Sequence, residues 1–279
     1  MKYVDLFCGM GSFSYSFRRL GWHCVLACDI SENACDNYDH NFGYRPLGDI
    51  TLINENDVPD HDVLCAGFPC QPFSHAGFHQ GFADPRGTMF FHVMRIIKAK
   101  NPSFVVLENV PGLLHHDRGR TFRIILNCLE TAGYVIEFKV LLCSDYGIPQ
   151  RRKRLFIVAR LAHILGPPIL ELDAYRKHQT LSAYLGKPFE REVAFTIRCG
   201  GRSSGIQDRH NWDSYIVDNR PYRLTLQDAL ALQGFEQYSM LGSDTKKWKL
   251  LGNTIPTIFT HMIGERINQA SKREYLTLS

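Results

Sequence analysis

Short apolar runs alternate with longer segments of helical period over the first 160 residues of this 279-residue chain. We predict strands where apolar residues run together, over residues 3–7, 23–29, 61–68, 103–110, 134–142 and 154–160. Between these runs apolar residues recur every three or four positions, which predicts helices. Ser31 is a suitable helix N-cap, and Gly21 and Gly133 are suitable helix stops. This alternation is typical of an α/β fold with a largely parallel sheet flanked by helices.

The pattern changes after residue 160. Residues 161–222 contain GPP, GKP and RCGGRSSG and have no long helical repeat, so we predict a smaller, irregular second domain there. Helical periodicity returns in TLQDALALQGF and in the closing segment GNTIPTIFTHMIGERINQA. We therefore divide the chain into a main domain of residues 1–160 plus 250–279, a small region of residues 161–222, and a connecting helix within 223–249.

The composition is that of an ordinary globular protein, with 44% hydrophobic and 22% charged residues. The net charge of +4 fits a polyanionic partner but does not identify one. Nine scattered cysteines without a CxxC pair indicate a reducing compartment. No apolar stretch approaches the roughly 20 residues of a membrane span. We expect no signal peptide, a cytoplasmic location and no bound metal.

The stretch GFPCQPFS sets Cys70 between two prolines directly after an apolar strand. A cysteine in that place is either a small apolar residue at a strand end or a nucleophile held on a stiff loop.

A glycine turn, DLFCGMGSF, follows the first predicted strand, and Asp29 ends the second. Gly9 and Gly11 allow close approach of a ligand, and Asp29 is placed to accept hydrogen bonds from ribose hydroxyls. The turn fits a dinucleotide, S-adenosylmethionine or no ligand at all. Asp49, in GDIT, either contacts an adenine or caps its own loop.

Two further charged elements adjoin strands. Glu108 follows the apolar run FVVL, so burial should raise its pKa and favour the protonated form. The run QRRKR packs four positive charges before the last strand. It is either a solvated turn or a grip for phosphates or a base.

The order of these parts is diagnostic. DLFCGMGSFS, GFPCQPFS, ENV, QRRKR, RLTLQDALALQGF and GNTIP occur in the succession typical of DNA (cytosine-5) methyltransferases, which the chain resembles over nearly its whole length. HNFGYRPLGDI, DPRGTMFF and DYGIPQRR are most similar to bacterial restriction-modification members. The resemblance implies a Rossmann-like S-adenosylmethionine-dependent methyltransferase sheet with a smaller target-recognition domain, the region of residues 161–222.

The resemblance also implies roles for individual residues. Cys70 would add to carbon 6 of a flipped-out cytosine, so that carbon 5 becomes nucleophilic enough to accept a methyl group. Glu108 would donate to ring nitrogen N3, and Asn109 would orient the loop. Arg154, and also Arg152, would contact the ring oxygen or the loop.

Other implied contacts belong to the cofactor and to DNA. S-Adenosylmethionine, with S-adenosylhomocysteine as product, would be held by Phe7, Gly9, Met10, Gly11, Asp29, Ile30, Asp49, Ile50, Pro69, Met89, Asn253 and Ile255. Duplex DNA would be contacted by Gln71, Ser74, Arg86, Arg198, Arg202 and Arg209, although the last three arginines are equally well explained as solvated. We expect a monomer, with a cognate restriction endonuclease that acts on the same site.

The chain departs from the family in its short recognition region and in Gln227-Asp228, where an Arg-Glu pair is usual.

Four alternatives stay open. An RNA cytosine methyltransferase shares the scaffold, but its tRNA-methylating branch carries a Cys-Phe-Thr tripeptide that this chain lacks. A nicotinamide-dependent dehydrogenase leaves QRRKR unexplained. A zinc deaminase needs Pro-Cys-x-x-Cys, whereas Phe73 stands at the second cysteine position. A non-catalytic DNA-binding relative would not need Cys70.

Overall fold

The computed structural model describes residues 1–69, 89–174 and 179–277, which form a central sheet flanked by helices. The sheet strands are β1 (Lys2–Leu6), β2 (His23–Cys28), β3 (Val63–Ala66), β4 (Phe104–Asn109), β5 (Tyr134–Leu142) and β6 (Lys153–Leu161). The helices are α1 (Ser12–Arg19), α2 (Glu32–Phe42), α3 (Met89–Lys100), α4 (Arg120–Thr131), α5 (Leu181–Leu185), α6 (Leu226–Leu232), α7 (Asp244–Asn253) and α8 (Thr257–Thr277). A two-stranded hairpin pairs β7 (Ser214–Val217) with β8 (Arg220–Arg223).

The strand order of the sheet is β2-β1-β3-β4-β6-β5. Strands β1 to β4 run parallel, and β6 runs antiparallel to both of its neighbours. The largely parallel α/β sheet predicted from the hydrophobic pattern is confirmed. Each of its six strands begins and ends within two residues of the predicted bounds.

Burial on both faces explains why the hydrophobic pattern located the strands. Every residue of β3 and β4 is buried, as expected for parallel strands covered by helices on both sides. The predicted N-cap is present, since the Ser31 hydroxyl accepts a bond from the Ala34 amide. Gly21 and Gly133, both with positive φ, follow the ends of α1 and α4.

Strand topology defines one edge of the sheet as a binding edge. The carboxyl ends of β1, β2, β3 and β4 meet there, and β6 begins there because it runs in the opposite direction. The chain order of the strands reverses between β1 and β3. In open α/β sheets, ligands bind in the crevice at such a reversal.

The described residues between β6 and α6, 162–174 and 179–225, have little regular structure beyond the short helix α5 and the β7–β8 hairpin. Their buried apolar side chains, among them Ile197 and Trp212, belong to the same apolar cluster as the sheet. Within the described residues, no helix is long and apolar enough to cross a membrane.

Helix α8 packs against α1, which follows β1 directly. The Ser16 hydroxyl on α1 bonds to the Thr260 hydroxyl at 2.6 Å and to the Thr257 carbonyl at 3.0 Å. Gly264 lies at the closest approach of the two helices: a Cβ there would be 2.6 Å from Leu20 Cδ1 and 2.9 Å from Phe17 Cε1. Glycine is therefore needed for this contact.

A buried polar cluster lies beneath the glycine turn that follows β1. The Ser14 hydroxyl donates to Asp5 Oδ2 at 3.0 Å and bonds to the hydroxyls of Tyr3 and Tyr38. Asp5 is only 1% exposed. Burial raises the pKa of its carboxyl from 3.8 to about 8, against the lowering effect of the Ser14 hydrogen bond.

We expect Gly264→Ala to destabilise the protein by about 1–3 kcal/mol, because a methyl group overlaps Leu20 and Phe17. The overlap outweighs the gain of roughly 1 kcal/mol in helix propensity. Urea unfolding measures the change. Gly205→Ala is the matched control, since no atom lies within 4 Å of a Cβ there. A Gly264→Ala variant as stable as the wild type would contradict the close helix contact.

We expect Asp5→Asn to weaken the pH dependence of stability. Below about pH 4 the folded and unfolded states both hold the Asp5 proton; towards pH 8 only the unfolded state loses it, so stability falls as the pH rises. Asparagine keeps an acceptor for Ser14 but cannot ionise. Between about pH 5 and about pH 7.5, the wild type should lose about 3 kcal/mol more unfolding free energy than the variant. Equal losses in urea unfolding would refute the raised pKa.

Candidate active site

The glycine turn after β1 has the backbone shape that the sequence predicted. Phe7, Gly9 and Gly11 have φ values of 56°, 55° and 79°. Phe7 is in a region that non-glycine residues seldom adopt, and such strain is common at functional sites. A Cβ at Gly11 would collide with Phe42 and lie 2.9 Å from Tyr38. The turn therefore presents backbone, not side chains, at the start of α1.

Asp29 joins this turn to the end of β2. Its Oδ2 accepts from the Gly9 amide at 2.8 Å, and its Oδ1 accepts from the Ser31 amide at 2.9 Å. Burial raises the pKa of Asp29, and these two backbone bonds oppose that rise. The neighbouring Ile30 side chain is 74% exposed. An anchored carboxylate thus stands beside an uncovered apolar side chain.

Asp49 caps the short 3₁₀ helix Ile50–Leu52: its Oδ1 accepts from the Thr51 amide at 2.9 Å. Asp49 therefore caps its own loop, which is one of the two roles predicted from the sequence. Ile50 is buried, at 3% exposure. A contact of this turn with adenine stays a prediction.

Glu108 and Arg154 form an ion pair, with Glu108 Oε1 2.7 Å from Arg154 Nε. Their side chains are only 10% and 12% exposed. Burial raises the pKa of Glu108, and the charges of Arg154 and then Arg152 oppose this. The other carboxyl oxygen, Oε2, faces Gly67, where a Cβ would approach it to 3.3 Å. One oxygen is thus held by an arginine and the other faces the loop after β3.

The antiparallel register of β4 and β6 brings this pair together. Glu108 lies opposite Phe156, so Arg154 is at the end of β6 that adjoins the carboxyl end of β4. The sequence placed Glu108 and QRRKR each at a strand end, but their contact depends on β6 running against its neighbours.

Asn109 connects β4 to the loop that leads toward Cys70. Its Nδ2 donates to the Phe68 carbonyl at 2.8 Å, and its Oδ1 accepts from the Val110 amide at 2.9 Å. Pro69, the next residue in this loop, is exposed. Cys70, with the predicted DNA contacts Gln71, Ser74 and Arg86, lies outside the described residues. Their roles stay predictions.

Arg152 is completely buried, so this residue of the basic run is not part of a solvated turn. Its Nη1 donates to the Ile197 carbonyl at 2.9 Å, and its Nη2 donates to the carbonyls of Gly252 and Thr254 at 2.8 and 2.6 Å. Burial lowers the pKa of Arg152. In this structure Arg152 ties its own segment to two distant ones, at Ile197 and at residues 252–254. Its contact with a cytosine stays a prediction.

The end of α7 and the turn after it carry two further predicted cofactor residues, Asn253 and Ile255. The Asn253 Oδ1 accepts from the Cys199 thiol at 2.7 Å, and the Thr254 hydroxyl bonds to the Ser12 hydroxyl at 2.8 Å. Ile255 is buried and lies next to Gly67, in the loop after β3. The turn therefore lies between the start of α1 and the loop after β3.

The three arginines of the small region differ in their surroundings. Arg202 donates to the buried Asp213 carboxylate at 3.2 Å, and its guanidinium carbon lies 3.8 Å above the Trp248 ring. Arg198 and Arg209 are exposed. Arg202 therefore has partners inside the fold, whereas the other two face solvent. DNA contacts of all three stay predictions.

Asp228, one of the two departures from the usual Arg-Glu pair, lies in the first turn of α6. It forms a capping box with Thr225 and accepts from the Tyr222 hydroxyl at 2.5 Å, and Lys187 pairs with it. These contacts anchor the start of α6, the helix that connects the small region of residues 161–222 with the main domain. The capping box S/T-x-x-D/E is visible in the sequence, but its partners from Lys187 and Tyr222 are not.

Sequence reasoning missed Ser12, Gly67 and Thr254 as site residues. Thr254 and Ser12 are far apart in the chain and meet only through α8 packing on α1. Gly67 stood inside GFPCQPFS, and a glycine directly after a buried strand was the available signal. A side chain at position 67 would crowd Glu108 and Ile255, and the sequence does not show that these two residues lie next to Gly67.

The comparisons with known proteins agree with this geometry. A family model described as C-5 cytosine-specific DNA methylase matches residues 1–190. The type II methyltransferase M.NgoBI of Neisseria gonorrhoeae is 49% identical, over 91% of this chain and 89% of that protein. The type II methyltransferase M.MspI of Moraxella sp is 48% identical, over 97% of this chain and 71% of that protein.

A solved structure supports the fold independently. The crystal structure of the S. pombe Dnmt2 methyltransferase covers 96% of this chain and 99% of its own, with a TM-score of 0.74. At 17% identity this likeness concerns the fold alone. The family match removes the dehydrogenase and deaminase alternatives. The chain belongs to the C-5 cytosine-specific DNA methylase family and is a DNA (cytosine-5) methyltransferase.

Proposed function

We propose that the chain transfers a methyl group from S-adenosylmethionine to carbon 5 of a cytosine flipped out of a specific duplex DNA sequence, through a covalent bond between Cys70 and carbon 6. The observation that carries this proposal is the buried pair of Glu108 and Arg154, with Asn109 holding the loop that leads to Cys70. A carboxyl with a raised pKa at this edge of the sheet suits proton donation to a base.

The binding edge fits S-adenosylmethionine, which supplies an electrophilic methyl group when bound. Backbone at Gly9 and Gly11 leaves room for a ligand, Asp29 offers a fixed carboxylate for ribose hydroxyls, and Ile30 offers an exposed apolar side chain for a flat ring. Met10 and Ile50 are almost fully buried, so they would contribute packing or backbone. The full proposed shell is Phe7, Gly9, Met10, Gly11, Asp29, Ile30, Asp49, Ile50, Pro69, Met89, Asn253 and Ile255.

The protein residues then act in a fixed order. The Cys70 thiolate forms a bond to carbon 6, and electron density moves to carbon 5, which takes the methyl group. As the thiolate attacks, Glu108 donates a proton to ring nitrogen N3 from Oε2, the oxygen that Arg154 does not hold. After methyl transfer a water removes the proton from carbon 5, the carbon–sulfur bond breaks to release the thiolate, and N3 returns its proton to Glu108.

Duplex DNA is the proposed partner, bound by a monomer. Residues 161–222 would read base edges, with Arg198, Arg202 and Arg209 as contacts, and Gln71, Ser74 and Arg86 would contact the strand near the flipped base. The identities to type II methyltransferases support a modification enzyme of a restriction-modification system, or a phage or solitary counterpart. A cognate endonuclease would cut the same site in the bacterial cytoplasm.

Cys70→Ala should abolish methylation, by more than about 10³-fold, since the covalent step is lost. Bisulfite or nanopore mapping of DNA from cells that express the wild type first gives the recognition sequence. A duplex of that sequence with 5-fluorocytosine at the target should then become trapped on the wild type, because fluorine at carbon 5 blocks the release step.

The trapped peptide should contain residue 70, and Cys70→Ala should bind the duplex without being trapped. Retained turnover by Cys70→Ala would refute the nucleophile. Methylation of tRNA in place of duplex DNA would refute the substrate and favour the RNA alternative.

Glu108→Gln should lower kcat by about 10²-fold or more, because an amide keeps the bond to Arg154 but is not an acid. Binding of S-adenosylhomocysteine, measured by calorimetry, should change little. Glu130→Gln, on the exposed face of α4, is the matched control and should retain wild-type kcat. Equal kcat values for the two variants would rule out proton donation by Glu108.

A further inference from the structure

Arg95 lies on α3, and its charged side chain is largely buried, at 14% exposure. The helix buries Phe90, Val93, Met94, Ile96 and Ile97 against the sheet. Arg95 instead points toward the segment that connects α2 with β3. A charge so placed needs partners, since burial of an unpaired guanidinium is strongly unfavourable.

Each of the three guanidinium nitrogens of Arg95 has a partner. Nη2 donates to the Ile50 carbonyl at 2.6 Å, Nη1 to Glu55 Oε2 at 2.6 Å, and Nε to His92 Nδ1 at 3.3 Å. The planar fork fixes the angles between these bonds. Arg95 therefore holds both 3₁₀ turns of the connecting segment, Ile50–Leu52 and Glu55–Asp57, against α3.

The bond to Ile50 matters because of the residue before it. Asp49 is the N-cap of the same turn, and its carboxylate direction is set by that turn. Met89, the proposed cofactor residue at the start of α3, is two helical steps of three residues from Arg95, with His92 between them. Met89 and Arg95 are therefore each neighbours of His92 on the surface of α3. His92 lies close enough to Asp49 for the carboxylate charge to act on it.

We propose that Arg95 is a positioning residue for the cofactor site: it fixes the Asp49–Ile50 turn against α3 and thereby makes the site selective for adenine. The inference rests on the proposed function, in which Asp49 belongs to the cofactor shell, and it adds that the Asp49 carboxylate accepts a hydrogen bond from the adenine amino group. Arg95 does not touch the cofactor. It acts through the Ile50 carbonyl, one peptide away from the carboxylate that reads the base.

Selectivity for adenine separates this role from general stabilisation. In S-inosylhomocysteine an oxygen replaces the adenine amino group, so the Asp49 carboxylate loses a donor and meets an acceptor. The wild type should therefore bind S-adenosylhomocysteine more tightly than S-inosylhomocysteine. A turn released from α3 should lose part of this preference, while the affinity for the inosine compound stays nearly the same.

Calorimetric titration with both compounds tests the proposal on three variants of the full chain. Arg95→Met keeps the stem and removes the guanidinium, and should bind S-adenosylhomocysteine about tenfold more weakly, with the preference for adenine reduced by about the same factor. Arg95→Lys, which can reach only one of the acceptors, should fall between Arg95→Met and the wild type. It also serves as the decisive variant if Arg95→Met does not fold.

Lys100→Met is the matched control. Lys100 lies on the same helix and donates to the Asn56 carbonyl at 3.0 Å, in the same connecting segment but beyond the Ile50 turn. It should keep the wild-type preference. In DNA methylation, the KM for S-adenosylmethionine should rise in Arg95→Met while kcat at saturating cofactor stays within about twofold.

An unchanged preference in the Arg95 variants would overturn the proposal. So would an equal loss of affinity for both compounds, since that is the result of a general structural defect. A wild type that binds neither compound would overturn the proposed function itself, and this inference with it. A wild type that methylates DNA but does not prefer adenine would overturn only the inference.

Discussion

The site depends on one ion pair that is removed from water, that of Glu108 with Arg154. Either charge alone would be costly at this depth, and breaking a buried pair by removing one partner destabilises proteins by about 3–5 kcal/mol. Together they leave a carboxyl whose pKa is raised by burial but whose orientation is fixed by a 2.7 Å bond. The sheet satisfies this requirement by inserting one antiparallel strand, β6, beside β4.

Around this pair, backbone carbonyls are held by side chains and not by regular secondary structure. Arg152 bonds to three carbonyls from two distant segments, and Asn109 bonds to one in the loop before Cys70. Loops at the end of a sheet have polar backbone groups that need partners when they are buried. Long polar side chains supply these partners, and as a result the loops have defined positions.

The same principle joins the small region to the sheet. Ile197 and Cys199 contact the turn after α7 through Arg152 and Asn253, and Asp228 gathers bonds at the start of α6. The usual Arg-Glu pair of the family is absent here, and Asp228 forms an ion pair with Lys187. The link between the two regions is therefore built from specific polar contacts within a continuous apolar core.

Local sequence pattern was sufficient to predict the α/β class, the six strands, the Ser31 cap and the glycine turn, because each depends on local periodicity or on local backbone preference. The sequence also placed Glu108 and Asp29 at strand ends, and the order of its motifs identified the family. Three arginine environments could not be predicted in this way: Arg154 pairs with Glu108, Arg152 is buried, and Arg202 stacks on Trp248. Arginines in one basic run look alike in sequence. The direction of β6 and the packing of distant segments determine which of them are buried and which groups they bond to.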